Sequence, residues 1–295
     1  MNHFEFGILV ASLRSDLQWI QKDLAKKSDM DISVISNIER GEKKLFTNDI
    51  LIKLAEGLRL TSMERMEFIF AASGVTETEK FRMNKGAPKQ QFDAKMFLNE
   101  AGKQIARIKI PVLITDQFCD IVLVNYSLIE FYGLPVELVQ TADTLICGYN
   151  TMRYIFDPQS NFPRVFGVDS YEKQAMLNVC YFRKRTMRVR SKPFFSKLLG
   201  ELLDAEKFPS FERCWRKVLF EEYDAYSTSF GREYPNSEFS FAMNESLFAL
   251  TPYGELYMHQ ILPTSRQTAE RIHIISKNVG EGYQQFAAFP DKRKL

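Results

Sequence analysis

Residues 21–41 read Gln21-Lys22-Asp23-Leu24-Ala25-Lys26-Lys27-Ser28-Asp29-Met30-Asp31-Ile32-Ser33-Val34-Ile35-Ser36-Asn37-Ile38-Glu39-Arg40-Gly41. The stretch predicts two short helices, Ile20 to Lys27 and Asp31 to Arg40, joined by a turn through Ser28 and Asp29. Asp31 suits an N-cap, and Gly41 stops the second helix. Ala25 supplies the small side chain that close packing of the two helices needs. Ile35 and Ile38 face inward, which leaves Ile32, Ser33, Ser36 and Asn37 on the outer side. Upstream, Phe6, Leu9, Val10, Leu13 and Leu17 form an apolar stripe at helical spacing. Downstream, Thr47 to Leu58 reads as a fourth helix. A fifth opens on Thr61-Ser62-Met63-Glu64, a capping box in which Thr61 and Glu64 satisfy two orphan amides.

Two helices joined by three or four residues inside a small bundle make a helix-turn-helix unit. Gln21 to Ala25 together with Ile35 to Gly41 resembles the lambda-repressor/Cro type, the XRE family, over residues 1–72. The resemblance implies an all-α five-helix DNA-binding domain whose third helix enters the major groove. It implies that Gln21 braces the DNA backbone and its neighbours, that Arg14 pairs with Glu39, and that Ile32, Ser33 and Asn37 read bases. Asn can bond adenine in a bidentate way, and Ile can meet a thymine methyl. Ser36 lies beside them, and Gln21, Lys22, Lys43 and Lys44 are the candidate phosphate contacts. Charge argues mildly the other way: residues 1–72 hold ten Lys/Arg against eleven Asp/Glu, and no Arg precedes Arg40 on the third helix.

Residues 73–91 are polar and interrupted by Gly74, Gly86 and Pro88, the expected linker. Beyond it, a helix over Phe92–Ile108 precedes strands at Ile110–Thr115 and Ile121–Val124. Asn125 caps a helix that stops at Gly133. Helices are expected at Tyr171–Val189, Phe194–Asp204 and Ser210–Tyr226. Strands follow at Glu238–Met243, Leu247–Thr251 and Glu255–Leu262, and a last helix runs from Ser265 to Ser276. The order describes an α+β domain over residues 92–280: an antiparallel five-stranded sheet, a large helical insertion, and helices over one face. Residues 281–295 read as a tail.

The opening strands, Tyr149 to Pro158, Phe182 to Arg185, and Phe211 with Trp215 make this region similar to the PAS-like domain of MmyB-type regulators. That resemblance implies a sensor that binds a small apolar ligand, with fatty acids the implied class, and no other cofactor. Tyr154, Phe156, Phe166, Phe182, Trp215, Phe220, Phe239 and Phe241 could line such a pocket or simply fill a core. Arg153, Arg183 and Tyr154 are candidates for a carboxylate head. The run Arg183–Lys192 carries six basic residues in ten, which reads best as a solvated helix face. A nucleic-acid contact or a place beside an acidic ligand head are the alternatives.

The 295 residues suit about two domains. Cys119, Cys147, Cys180 and Cys214 show no metal-site spacing, and the three histidines form no His-x-x-x-His pair. No Gly-rich phosphate loop, nucleophile elbow or catalytic spacing is present, so no enzyme is expected. No run approaches a membrane span, and the N-terminus lacks a signal pattern, so a cytoplasmic chain without membrane contact is expected. Helix-turn-helix readers usually pair on half-sites, so a homodimer on double-stranded DNA is expected. The alternative is a protein-interaction scaffold with a degenerate helix-turn-helix and no small ligand.

Overall fold

The computed structural model describes residues 1–74, 92–134, 136–160, 162, 168–220, 232–234, 240–291, 293 and 294. The expected linker, 73–91, lies almost wholly outside them.

Five helices open the chain: α1 His3–Asp16, α2 Gln21–Lys27, α3 Ile32–Glu39, α4 Asn48–Gly57 and α5 Ser62–Ala72. Local chemistry sets their ends. Asp31 accepts from the Ser33 amide at the start of α3, and Thr61 and Glu64 close a reciprocal capping box on α5. Phe6, Leu9, Leu13, Leu24, Ile35, Ile38, Leu54 and Phe68 are buried in one core. Gly7 has a packing reason that periodicity does not reveal: a Cβ there would sit 2.5 Å from the carbonyl oxygens of Ile38 and Glu39. The contact seats α1 against the end of α3.

The second region is built on a six-stranded sheet, ordered β3-β4-β5-β1-β2-β6, antiparallel throughout. Its strands are β1 Val112–Asp116, β2 Ile121–Asn125, β3 Arg232–Tyr234, β4 Phe241–Thr251, β5 Gly254–Pro263 and β6 Tyr283–Gln285. Residues 241–243 and 247–251, expected in two separate strands, belong to the single β4, whose register shifts between Leu247 and Ala249. Residues 283–285, expected in a tail, pair with β2 as the sixth strand. The tail is anchored further on, where the buried Lys294 ammonium sits between Asp116 and Asp120.

Helices cover both sheet faces, not one. On one side α6, Ala94–Ala106, packs Leu98, Ala101 and Ile105 on Val112, Ile114 and Val122. On the other lie α7 Tyr126–Tyr132, α8 Val136–Gln140, α9 Thr151–Phe156, α10 Val168–Thr186, α11 Pro193–Leu202, α12 Phe211–Lys217 and α13 Arg266–Asn278. Cover on two sides explains why β1 and β2 are buried at every position and read as unbroken apolar runs. Asn125 ties three elements together. Its Oδ1 accepts from Val112 N (2.9 Å) and Leu128 N (3.0 Å), and its Nδ2 donates to the carbonyls of Ile108 and Ile110. No helix among the described residues is long and apolar enough to cross a membrane.

The two regions are packed together. Met187 and Leu219 belong to the same apolar cluster as the core of the five helices, and residues 187–189 lie against α5.

Candidate nucleic-acid interface and ligand cavity

The geometry of α2 and α3 follows from one buried network. Arg14 donates from Nε and Nη2 to the two Glu39 oxygens at 2.6 and 2.9 Å. The Gln21 amide donates to the same Glu39 carboxylate at 2.8 Å, and Arg14 also donates to Trp19 O. Glu39 holds the Arg14 guanidinium more firmly charged than usual, against the opposing effect of burial. Gln21 therefore braces α3 from its N-terminal position on α2.

The outer side of α3 carries the expected residues. Ile32 and Ser33 are exposed, and Ser36 and Asn37 are half-buried. Lys22 and Lys44 are exposed and Lys43 half-buried, all close in sequence to the helix pair. Arg40, which was not among the expected contacts, completes this surface. Its guanidinium donates to Ser36 Oγ (3.0 Å) and Asn37 Oδ1 (2.7 Å) and pairs with Glu42 (2.9 Å). Its spacing of three and four residues from Asn37 and Ser36 is the helical signal that could have located it. The Asn37 Oδ1 acceptor is thus held by Arg40.

A cavity of about 100 Å³ lies between the sheet and its helical cover. Leu113, Thr115, Met243 and His259 line it from the strands, Leu128 and Tyr132 from α7, Met152, Tyr154 and Ile155 from α9, and Asn178 and Tyr181 from α10. Thr115 Oγ1 and His259 Nε2 lie 2.8 Å apart at its sheet wall. Burial pushes the Tyr154 phenol well above its ordinary range, so it stays protonated.

Several expected ligand contacts lie elsewhere. Arg153 is buried with its guanidinium on the carbonyls of Leu138 and Gly148, Thr141 Oγ1 and Asp157. Phe156, Phe182 and Trp215 fill the core of the helical block, and Phe241 packs with Phe131. Phe220 is exposed beneath the Arg59 guanidinium. Phe166 and Phe239 fall outside the described residues. Among the described residues, Tyr154 alone of the expected set lines the cavity.

Arg183 and its basic neighbours form neither a ligand head-group site nor a solvated face. Arg183, Arg188, Arg190 and Lys192 dock the five-helix region. Arg183 donates to Glu64 (2.9 Å) and Asp16 (3.0 Å), and Arg190 donates to the same Asp16 oxygen (2.6 Å). Arg188 bridges Glu67 of α5 and Glu255 of β5, each at 3.0 Å, and Lys192 meets Glu5. Arg183 and Arg190 also stand over the Trp215 ring. Burial works against the charge of both. Glu64 and Asp16 outweigh it at Arg183 and raise its pKa, whereas Arg190, facing Arg183 as well, is lowered. Helical spacing put these charges on one side, but charge alone does not distinguish water from a partner surface.

Residues 11–64 match the family model described as Helix-turn-helix. No curated protein matches the chain. Over these residues the chain is similar to helix-turn-helix domains, which supports a DNA-binding transcription regulator.

Proposed function

We propose that this chain is a sequence-specific transcription regulator, acting as a homodimer, whose second region is a PAS-like sensor. The sensor binds a small apolar ligand, with fatty acids the class the resemblance implies, and alters DNA binding in response. One observation carries this reading. Helix α10 contributes Asn178 and Tyr181 to the cavity wall and, two residues after Tyr181, sends Arg183 into Asp16 and Glu64 of the helix-turn-helix region. Arg185 extends the link, donating to Tyr181 Oη (3.1 Å) and pairing with Glu245. A ligand that favours one placement of α10 therefore favours one placement of the reading helix. It can do so only by binding the two arrangements unequally.

Ile32, Ser33, Ser36 and Asn37 are the proposed base-reading surface, with Gln21, Lys22, Lys43 and Lys44 at the phosphates. Two copies on half-sites about one DNA turn apart would offset the shortage of Arg on α3. The test is selection of a preferred duplex from a random pool by the full chain, followed by footprinting with Asn37→Ala and Ser33→Ala. Loss of selection with the fold intact is expected; unchanged selectivity refutes the assignment of α3. A medium-chain fatty acid added during the titration is expected to shift operator affinity. No shift at saturating ligand refutes the coupling.

A further inference from the structure

The charge state of the ligand follows from what the cavity wall lacks. Among the described residues no Lys, Arg, Asp or Glu lines it; its polar groups are hydroxyls, one amide and one imidazole. The neighbouring guanidiniums are held elsewhere: Arg153 by carbonyls and Asp157, Arg183 by Asp16 and Glu64, Arg185 by Glu245. A carboxylate entering this space would lose its hydration and meet no Lys or Arg among the described lining residues, and burying an unpaired charge is strongly unfavourable.

The wall does offer hydrogen bonds. Tyr154 is 8% exposed, and its Oη has no hydrogen-bond partner among the described residues. Ser160 Oγ, also on the wall, is buried and without a partner in the same sense. Buried polar groups are normally satisfied, so two such hydroxyls facing one apolar space mark where a ligand oxygen belongs.

Building on the reading of this region as a ligand sensor, we infer that the cavity takes an uncharged amphiphile. Its apolar body lies against the sheet, and one hydroxyl, carbonyl or ester oxygen bonds Tyr154 Oη. A fatty acid enters as the neutral acid or as its alcohol or ester, and its anion is excluded.

The experiment is calorimetric titration of the full chain with 1-octanol and with octanoate at pH 8, repeated with Tyr154→Phe. Octanol is expected to bind at least about tenfold tighter than octanoate. Octanoate should gain about tenfold for each unit the pH is lowered towards its own pKa. Tyr154→Phe should weaken octanol about fivefold, the loss of one neutral hydrogen bond, and leave the ligand-free melting temperature unchanged or raised. Tighter binding of octanoate at pH 8, or unaltered octanol binding by Tyr154→Phe, overturns the uncharged-ligand assignment while the sensor reading stands. Saturable binding of neither compound overturns both.

Discussion

Replacing Asp16 by Asn removes one negative charge from a buried cluster without changing its shape. Asp16 Oδ2 accepts from Arg183 and Arg190, and the three side chains are 5%, 3% and 0% exposed. With Asn at position 16, two guanidiniums face Glu64 alone, and Arg190 has no carboxylate within reach among the described residues. Removing one partner of a buried pair costs about 3–5 kcal/mol, and retention of an amide oxygen as acceptor argues for the lower end. For a chain of this size, about 3 kcal/mol corresponds to a fall in melting temperature of about 6–12 °C. Chemical denaturation of the full chain measures the loss. Hydrogen exchange should show α5 and residues 187–189 losing protection together, since they form the contact. The comparison variant is Lys192→Ala, whose partner Glu5 lies in a half-exposed pair worth about 1 kcal/mol at most. A cycle combining Asp16→Asn with Arg190→Met should give a coupling of about 1–3 kcal/mol. A loss under 1 kcal/mol for Asp16→Asn, or strict additivity in the cycle, would refute the docked arrangement.

Other consequences follow from single contacts. Asn125→Ala strips partners from two buried amides and two carbonyls, at about 1–3 kcal/mol for each group left unsatisfied; urea denaturation should show a loss of at least about 3 kcal/mol, and a smaller change would mean water replaces the side chain. Gly7→Ala places a methyl against backbone that cannot yield, so it should destabilise by about 1–3 kcal/mol despite the better helix propensity of Ala; a raised melting temperature would contradict the α1–α3 approach. Burial pushes the Glu201 carboxyl up, but the Cys147 amide and Lys207 outweigh it and hold its pKa below the usual value. Its contribution to stability is therefore complete above the unfolded pKa and fades as pH falls through the lower folded one. Glu201→Gln should flatten the stability–pH curve in that acid window, and curves that stay parallel would refute the assignment.

The helix-turn-helix was legible because its determinants are local. Asp31, Thr61 and Glu64 announce helix starts within four residues, and the stripe of Phe6, Leu9 and Leu13 declares a buried face by spacing alone. The strand–turn–strand–Asn opening of the second region was legible for the same reason. What escaped was non-local. Residues 283–285 are too few and too polar to signal a strand; they pair because β2 offers an open edge. The ligand-side errors share a cause. Phe156, Phe182, Trp215 and Tyr154 are indistinguishable by type, and only the packing of α9 and α10 decides that Tyr154 faces a void and the others face each other. Arg153 and Arg183 looked like ligand contacts because they carry the right charge, yet Arg153 is bound by nearby carbonyls, Thr141 and Asp157, and Arg183 by Asp16 and Glu64, far away in sequence.

The charge of the helix-turn-helix region illustrates how far such partners change a reading. Its ten basic and eleven acidic residues leave it at −1 and count against nucleic-acid binding. Four of those acids, Glu5, Asp16, Glu64 and Glu67, lie on the face docked against the sensor, where Lys192, Arg183, Arg188 and Arg190 neutralise them. With those four acids neutralised, ten basic residues against the remaining seven acids give +3. The acidity that weakened the case for DNA is thus the complement of the sensor's arginines. Because phosphate attraction is sequence-independent and falls with salt, this redistribution links the docked contact to the proposed DNA binding. Undocking would expose four carboxylates on the reading domain and four cations on the sensor, and would reshape the field that meets the duplex. On the proposed function, a ligand that loosens α10 would then alter DNA affinity through charge as well as through the placement of α3.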